Sequence, residues 1–270
     1  MGKNKNLSDS CAIVTGAAGG IGFSFCRELA SRNCRLIMVD ISEERLSEAA
    51  DTLKAAFPEV STYLLAADLT SADVVECLES FIKDNSLDPD ILINNAGIFS
   101  FAPVTEVSEG KINCFVDLHV RAVTLLSRWM AARRMEAGNG WILNMSSMSC
   151  WAPMPGLSMY AATKAYIRVF TRSLHYDMKD YGVKVMAACP GGIATDLFGL
   201  PKNLKRLAVK IGAIDTPERF THNAINKLLK GRQQYINGWL NRIAIFMVGI
   251  TPTTVRMMVK HHLLDKGIKR

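Results

Sequence analysis

The chain has 270 residues, of which 49% are apolar, and this favours one large α/β domain over two small ones. No apolar run reaches the roughly 18 residues of a membrane span, and the polar start, MGKNKNLSDS, lacks the apolar core of a signal peptide, so we expect a cytoplasmic protein. The net charge of +7 is uneven, because residues 201–270 carry 14 Lys and Arg against 3 Asp and Glu, which is +11, while the rest carries −4.

Short apolar runs alternate with longer amphipathic stretches. The runs lack polar alternation, as expected of strands in a sheet covered on both faces. The stretches repeat apolar residues at three and four positions, as surface helices do. Alternating strands and helices predict a doubly wound parallel sheet in a single domain. The predicted strands are residues 11–16, 35–40, 62–68, 91–97, 141–147 and 183–192. In the fourth predicted helix one face would hold Phe115, Leu118, Ala122, Leu125 and Trp129.

A glycine-rich turn, TGAAGGIG, follows the first predicted strand at residues 15–22 and opens a helix. Gly16, Gly20 and Gly22 allow a tight turn and a close approach of the backbone to a ligand. The helix start supplies free N–H groups and the positive end of the helix dipole, which suit a pyrophosphate. The turn, including Thr15 and Ile21, therefore predicts a dinucleotide site. A tight turn without a ligand is the alternative.

Asp40 ends the second predicted strand, 18 residues after Gly22. A carboxylate there can accept both ribose hydroxyls of an adenosine and would repel a 2′-phosphate. The glycine turn holds no Arg or Lys, and Ile41 follows Asp40. We therefore expect NAD(H) rather than NADP(H). Alternatively, Asp40 could serve the start of the next helix, although Ser42 could cap that helix instead.

Tyr160 and Lys164 lie four residues apart in SMYAATKAY. If residues 158–181 are helical, the two side chains share one face. The ammonium of Lys164, together with an oxidised nicotinamide, would lower the pKa of the tyrosine and make it a usable acid–base group. Ser147 ends the fifth predicted strand and could hydrogen-bond a substrate oxygen. Ser146 is the alternative, but its side chain should point to the opposite face.

These motifs together resemble the short-chain dehydrogenase/reductase family, in the branch with a TGxxxGxG turn. The resemblance covers roughly residues 10–197. The matching features are TGAAGGIG at 15–22, Asp40, ADL at 67–69, NNAG at 94–97, Ser147, the Tyr160–Lys164 pair and PGGIAT at 190–195. The family implies a Rossmann-type fold and hydride transfer between a nicotinamide cofactor and an alcohol or ketone.

The resemblance also implies further cofactor contacts. Asp68 and Leu69 would lie beside the adenine, and the NNAG segment, from Asn94 to Gly97, would form the turn under the cofactor. Lys164 would also hold the nicotinamide ribose. The predicted contacts from NNAG and from the nicotinamide half are Asn95, Ala96, Gly97, Pro190, Gly191, Ile193 and Thr195.

The sequence departs from the family at His119. Many relatives carry an Asn at this site, where it holds a water linked to the lysine. A neutral imidazole offers one donor and one acceptor, so His119 could sustain the proton relay or titrate and impose a new pH dependence. We expect a working relay. The alternative is a buried histidine with a structural role only.

Loops at the carboxyl ends of strands should form the substrate pocket. Four large apolar residues predict an apolar pocket, and hence a hydrophobic alcohol or ketone, although such residues also serve ordinary loop packing. They are Phe99, Trp151, Met154 and Phe198. A substrate lid is predicted over about residues 193–216, with Gly199 and Gly212 near its ends.

A boundary is expected near residue 238, between the catalytic domain, 1–238, and an apolar, basic C-terminal extension, 239–270. The Val-Asp-Gly-Gly ending common in relatives is missing, and YINGWLNR stands near its place. The extension could be an interfacial helix on anionic lipid, a subunit-interface segment, or a flap over a neighbouring subunit's pocket. Family habit favours subunit contact, and hence a homodimer or homotetramer.

Two kinds of ligand are not expected. The seven cysteines are scattered and never spaced CxxC, which favours free thiols in a reducing compartment over disulfides or a metal site. Nucleic acid is a poor fit, because no aromatic-basic platform or reading helix is evident.

The sequence thus predicts an NAD(H)-dependent oxidoreductase that interconverts a secondary alcohol and a ketone with Tyr160 as acid and base. The alternatives are a cofactor-binding sensor or scaffold with residual chemistry, and a reductase of carrier-bound acyl groups.

Overall fold

The computed structural model describes residues 7–193, 215–249 and 251–261. In this part of the chain, seven parallel strands form one sheet in the order β3-β2-β1-β4-β5-β6-β7. The strand order reverses between β1 and β4, which creates the crevice where such sheets bind ligands. The strands are β1 Cys11–Thr15, β2 Arg35–Asp40, β3 Thr62–Ala66, β4 Ile91–Asn94, β5 Gly140–Met145, β6 Val183–Ala188 and β7 Gln234–Tyr235.

Helices cover both faces of the sheet and confirm the predicted doubly wound, Rossmann-type domain. One apolar layer packs α1, α2 and α7 on the sheet, and the other packs α3, α5 and α6. The first six helices are α1 Gly20–Ala30, α2 Glu43–Ala56, α3 Val74–Asp84, α4 Glu109–Val116, α5 Val123–Ala137 and α6 Ser158–Asp177. They are followed by α7 Pro217–Leu229, α8 Trp239–Gly249 and α9 Thr253–Val259.

Several strands end earlier than the apolar runs predict. The third ends at Ala66, the fourth at Asn94, the fifth at Met145 and the sixth at Ala188. In each case the chain leaves the sheet just before the residues expected to contact ligand. The carboxyl edge of the sheet is therefore loop structure, which leaves room for a cleft.

A π-helical turn, Asp117–Ala122, joins α4 to α5 and changes the predicted buried face. Phe115, Ala122 and Trp129 are buried as expected, but Leu118 and Leu125 are only partly buried. A π turn inserts about one extra residue per turn, so the buried positions after it no longer follow the regular α-helical spacing. His119 is buried in place of its neighbour Leu118.

All seven cysteines are free thiols. Cys11, Cys26, Cys34 and Cys189 are buried, whereas Cys77 is exposed. Burial raises the pKa of the Cys11 thiol to about 11.

Gly138 and Gly182, which precede β5 and β6, provide a matched test of backbone packing. Both have left-handed backbones, with φ of 71° and 73°. A Cβ on Gly138 would meet nothing within 4 Å, whereas one on Gly182 would lie 2.2 Å from the Gly138 carbonyl oxygen.

We expect Gly138→Ala to lower the free energy of unfolding by about 1 kcal/mol, the cost of the left-handed backbone. Gly182→Ala should cost about 2–4 kcal/mol, because overpacking adds to that cost. Urea unfolding followed by circular dichroism measures both, and equal losses would contradict the close contact.

Candidate active site

Three adjoining cavities form one cleft along the carboxyl edge of the sheet. Their volumes are about 770, 120 and 580 Å³. Asn95 and Gly97 line both the first and the second cavity, and Ser147, Tyr160 and Pro190 line both the second and the third. The cleft thus runs from the glycine turn, past Tyr160, to an apolar chamber.

The glycine turn has the shape of a phosphate cradle. Gly16 and Gly20 adopt left-handed backbones, with φ of 65° and 56°. A Cβ on Gly22 would lie 1.9 Å from the Gly16 carbonyl oxygen, so only glycine fits. Helix α1 starts here without a side-chain cap, which leaves its first N–H groups for an anion. These residues, with Ile21 beside them on the cavity wall, fit a dinucleotide pyrophosphate.

Thr15 and Asn95 hold this turn against the end of β4. The Thr15 hydroxyl accepts the backbone N–H groups of Asn95 and Ala96, each at 3.0 Å. The Asn95 amide donates to the Thr15 carbonyl at 3.0 Å. Both polar side chains therefore position the backbone around the cavity that Asn95, Ala96 and Gly97 line.

Asn94 points the other way, as expected for the preceding residue of a strand. Its amide donates to Ser127 at 3.1 Å and to Asn144 at 2.8 Å, inside the protein. Asn144 donates in turn to Thr171 of α6. Asn94 thus belongs to a buried polar network and not to the cofactor wall.

Asp40 lines the far end of the first cavity. Its carboxylate accepts the N–H groups of Ala18, at 3.0 Å, and Ser42, at 3.4 Å. The Ser42 hydroxyl caps α2 by accepting the N–H of Arg45, so the cap does not need Asp40. Asp68 and Leu69 line the same cavity.

Arg45 also lines this end, and the sequence patterns did not indicate it. Its Nη2 atom lies 3.0 Å from the position that a Cβ on Gly19 would occupy. The glycine turn and the position after Asp40, where a cation for a 2′-phosphate would most naturally lie, hold none. Arg45 instead reaches back from the first turn of α2. The adenosine end therefore holds one carboxylate and one guanidinium.

Tyr160, Lys164 and Ser147 meet at the middle cavity. Helix α6 begins at Ser158 and presents Tyr160 and Lys164 one turn apart, as predicted. Tyr160 and Ser147 line the same cavity walls, and the Ser147 hydroxyl accepts the N–H of Ser149 at 3.1 Å. The Lys164 ammonium donates to the Met145 carbonyl at 2.9 Å and lies 5.8 Å from the centre of the Tyr160 ring.

The alternative serine has a different role. The Ser146 hydroxyl is buried and donates to the Lys164 carbonyl at 2.7 Å. It fastens α6 to the end of β5, whereas Ser147 contacts Tyr160.

The electrostatics differ from the expected acidified phenol. Burial raises the pKa of Tyr160, although the Ser147 hydrogen bond opposes this. Burial also lowers the pKa of Lys164 to about 8. The reason is that both groups are withdrawn from water, which disfavours the charged form of each. Tyr160 is therefore protonated at neutral pH, as a proton donor must be.

His119 is completely buried beside this group. Its Nε2 accepts the Ile98 N–H at 3.0 Å, so the neutral ring carries its proton on Nδ1, which lies 3.0 Å from the Thr163 hydroxyl. Burial, followed by the charge of Lys164, lowers the pKa of His119 to about 2. The geometry favours a neutral, satisfied imidazole over the working relay that was expected.

Gly97 separates His119 from Lys164. A Cβ on Gly97 would lie 2.8 Å from His119 Nε2 and 3.4 Å from Lys164 Nζ. A side chain at position 97 would collide with the His119 imidazole, which explains on steric grounds why glycine occupies it.

The third cavity is apolar except at Ser147, Ser149 and Tyr160. Of the predicted pocket residues, Phe99 lines it and packs edge-on against Tyr160, with ring centres 5.0 Å apart. Trp151 instead faces the Arg168 guanidinium at 4.3 Å, and Met154 does not line the cavity. The other apolar lining residues are Phe101, Met148, Ala152, Leu157, Ile245 and Val248.

Pro190, Gly191 and Ile193 line the middle cavity, as the resemblance implied. The Gly191 N–H donates to Asn237 at 2.8 Å, and a Cβ on Gly191 would lie 2.3 Å from Asn241. Both asparagines belong to the YINGWLNR segment. The difference between this segment and the usual family ending was the only sequence feature that pointed to these contacts. Thr195, Phe198 and residues 194–214 of the predicted lid lie outside the described residues.

The position of helix α8 was the main feature that the sequence patterns did not indicate. Ile245 and Val248 place it over this chain's own apolar cavity. The extension was expected to serve subunit or lipid contact, or to cover a neighbouring subunit's pocket.

Curated proteins of similar sequence include the following two. The chain is 30% identical over 220 residues to inactive hydroxysteroid dehydrogenase-like protein 1 of Homo sapiens, which covers 80% of this chain and 65% of that protein. It is 30% identical over 234 residues to very-long-chain 3-oxoacyl-CoA reductase-A of Danio rerio, covering 84% of this chain and 69% of that protein. This chain thus spans about two thirds of the length of either relative.

Solved structures share the fold. A 7beta-hydroxysteroid dehydrogenase matches with a TM-score of 0.82 at 24% identity, over 92% of this chain and 96% of that one. Complexes with NADH and with NADPH both occur among the matching structures. The family model for short chain dehydrogenase matches residues 10–203. On the strength of that match and of the site geometry, this chain belongs to the short-chain dehydrogenase/reductase family.

Proposed function

We propose that the protein is an NAD(H)-dependent oxidoreductase that interconverts a secondary alcohol and a ketone on an apolar substrate. The observation that carries this proposal is the place of the Tyr160 hydroxyl. It lies where the dinucleotide-sized part of the cleft meets the apolar cavity, beside Ser147 and one helical turn from Lys164.

A bound nicotinamide cofactor supplies the hydride for reduction and accepts it in oxidation. In reduction, Tyr160 would donate its phenolic proton to the carbonyl oxygen as the carbonyl carbon is reduced. Ser147 donates a hydrogen bond to the same oxygen and stabilises its developing negative charge. Tyr160 then recovers a proton from solvent, and in oxidation these proton transfers run in reverse.

An apolar substrate follows from the cavity walls. Aromatic and aliphatic side chains line about 580 Å³, and the polar side chains gather at the Tyr160 end. Such a chamber orients a hydrophobic body by burial and its single oxygen by hydrogen bonds. A steroid-like or lipid-like alcohol or ketone has this form.

Two other functions have supporting observations. The basic C-terminal quarter and the very-long-chain 3-oxoacyl-CoA reductase relatives favour a reductase of carrier-bound acyl groups. The relative named inactive and the engaged His119 favour a cofactor-binding sensor. Intact Ser147, Tyr160 and Lys164 support the oxidoreductase over the sensor.

We also propose that the protein acts in the cytoplasm and assembles as a homodimer or homotetramer. Exposed Val116, Tyr166 and Val169 offer apolar contact area for assembly on α4 and α6. Within residues 7–193, 215–249 and 251–261, no helix is both long and apolar enough to cross a bilayer.

The acid–base assignment predicts that Tyr160→Phe lowers turnover by about 10²–10⁴-fold while the Kd for NADH is unchanged. The matched control is Tyr166→Phe, because Tyr166 lies on the same helix with its hydroxyl 2.8 Å from that of Thr124. A panel of apolar ketones with NADH, followed by absorbance, gives the rates. Near-normal turnover by Tyr160→Phe would refute the assignment. NADH binding by the wild type without turnover of any ketone would favour the sensor.

Cofactor choice is tested at the adenosine end of the cleft. We expect NADH to bind more tightly than NADPH, because the Asp40 carboxylate repels a 2′-phosphate. Arg45 should soften this preference, so Arg45→Ala should weaken NADPH binding by about fivefold and leave NADH binding unchanged. Lys54→Ala, farther along α2, is the charge control. Fluorescence titration gives the Kd values, and tighter binding of NADPH by the wild type would overturn the preference.

His119 supplies a pH test. Because its pKa is lowered to about 2, the imidazole stays neutral throughout the physiological range. The pH profiles of kcat for wild type and His119→Asn should therefore be parallel from about pH 5 to about pH 8, with activity intact. His119→Ala, which leaves the Ile98 N–H without its acceptor, should lower the Tm. A titration step that disappears in His119→Asn would show that the imidazole does ionise during turnover.

A further inference from the structure

Helix α8 is apolar on two opposite faces. Ile245 and Val248 line the third, apolar cavity. At 100° per residue, the exposed apolar residues of α8 fall on the other side, within a sector of about 100°. This outer stripe consists of Trp239, Leu240, Ile243 and Met247, with exposed fractions of 68%, 39%, 52% and 54%.

Helix α9 adds to the exposed apolar area. Val255 and Met258 are 45% and 61% exposed. Arg256 donates to the Val248 carbonyl at 3.3 Å and so fixes α9 to the end of α8. Exposed apolar side chains on two short consecutive helices form a larger apolar surface than isolated exposed residues do.

The charges around this surface are of one sign. Residues 239–261 contain Arg242, Arg256 and Lys260 and no Asp or Glu. If a second copy of the chain covered the outer stripe through the same surface, these cations would face each other without a carboxylate of the segment to pair them. An anionic lipid surface offers both an apolar layer and negative charge.

We propose that α8 and α9 dock the protein on anionic lipid, with the outer stripe in the boundary between headgroups and acyl chains. Arg242 and Lys260 would contact lipid phosphates. The helices have 11 and 7 residues, so they suit a position in the plane of the interface rather than across it. The docking concerns the outer face of α8 and is independent of the proposed reaction.

The test is sedimentation of the full chain with vesicles of phosphatidylcholine, with and without phosphatidylglycerol. We expect salt-sensitive binding that phosphatidylglycerol strengthens. The stripe variant, Ile243→Asn with Met247→Asn, should bind more than tenfold more weakly. The charge variant, Arg242→Gln with Lys260→Gln, should lose about fivefold for each charge, on phosphatidylglycerol vesicles only.

Matched controls place the same changes elsewhere on the surface. Val104→Asn with Met135→Asn removes exposed apolar side chains, and Lys54→Gln with Lys83→Gln removes exposed charges; both should bind like the wild type. Circular dichroism and NADH binding show that the stripe variant is folded. Neither readout requires turnover, so failure of the proposed reaction leaves this test valid.

Three outcomes would overturn the proposal. One is no vesicle binding by the wild type, and another is equal binding by the stripe variant and the wild type. The third is a stripe variant that is monomeric in sedimentation velocity while the wild type is dimeric, which would show that a second copy covers the stripe.

Discussion

Two hydrogen bonds between the end of β5 and α6 hold the reactive group in place. The Lys164 ammonium donates to the Met145 carbonyl, and the Ser146 hydroxyl donates to the Lys164 carbonyl. Together they fix the first turns of α6 against the carboxyl edge of the sheet, so Tyr160 and Ser147 line the same cavity. The cost is a buried cation, seen in the lowered pKa of Lys164. The position of Tyr160 therefore depends on the hydrogen bond from this ammonium to the Met145 carbonyl as well as on the charge of the ammonium.

Features encoded by local sequence were predictable. The glycine turn needs left-handed backbones, strands buried on both faces need unbroken apolar runs, and the Tyr160–Lys164 spacing matches one helical turn. Contacts that depend on long-range packing were not predictable. Arg45 reaches the glycine turn from another helix, and Asn237 contacts Gly191 from 46 residues away along the chain. Ile245 and Val248 of the C-terminal extension line the apolar cavity.

The two clearest differences from expectation have local causes. The π-helical turn Asp117–Ala122 interrupts the regular pattern between α4 and α5, and His119 within it is buried. Once buried, both of its ring nitrogens have protein partners, so the residue serves as a spacer between the Ile98 backbone and Thr163. Burial likewise raises the pKa of Tyr160. The spacing of residues in a sequence indicates which side chains are neighbours on a helix, but it does not indicate how deeply they are buried.

The roof formed by α8 has an evolutionary consequence. The dinucleotide end of the cleft is lined by residues up to Leu118, whereas part of the chamber for the reacting molecule comes from Ile245 and Val248. Changes in that late helix can reshape which molecules are accepted without disturbing the hydride-transfer machinery. Exchange of a terminal helix would therefore alter this chamber and leave the walls of the dinucleotide end unchanged.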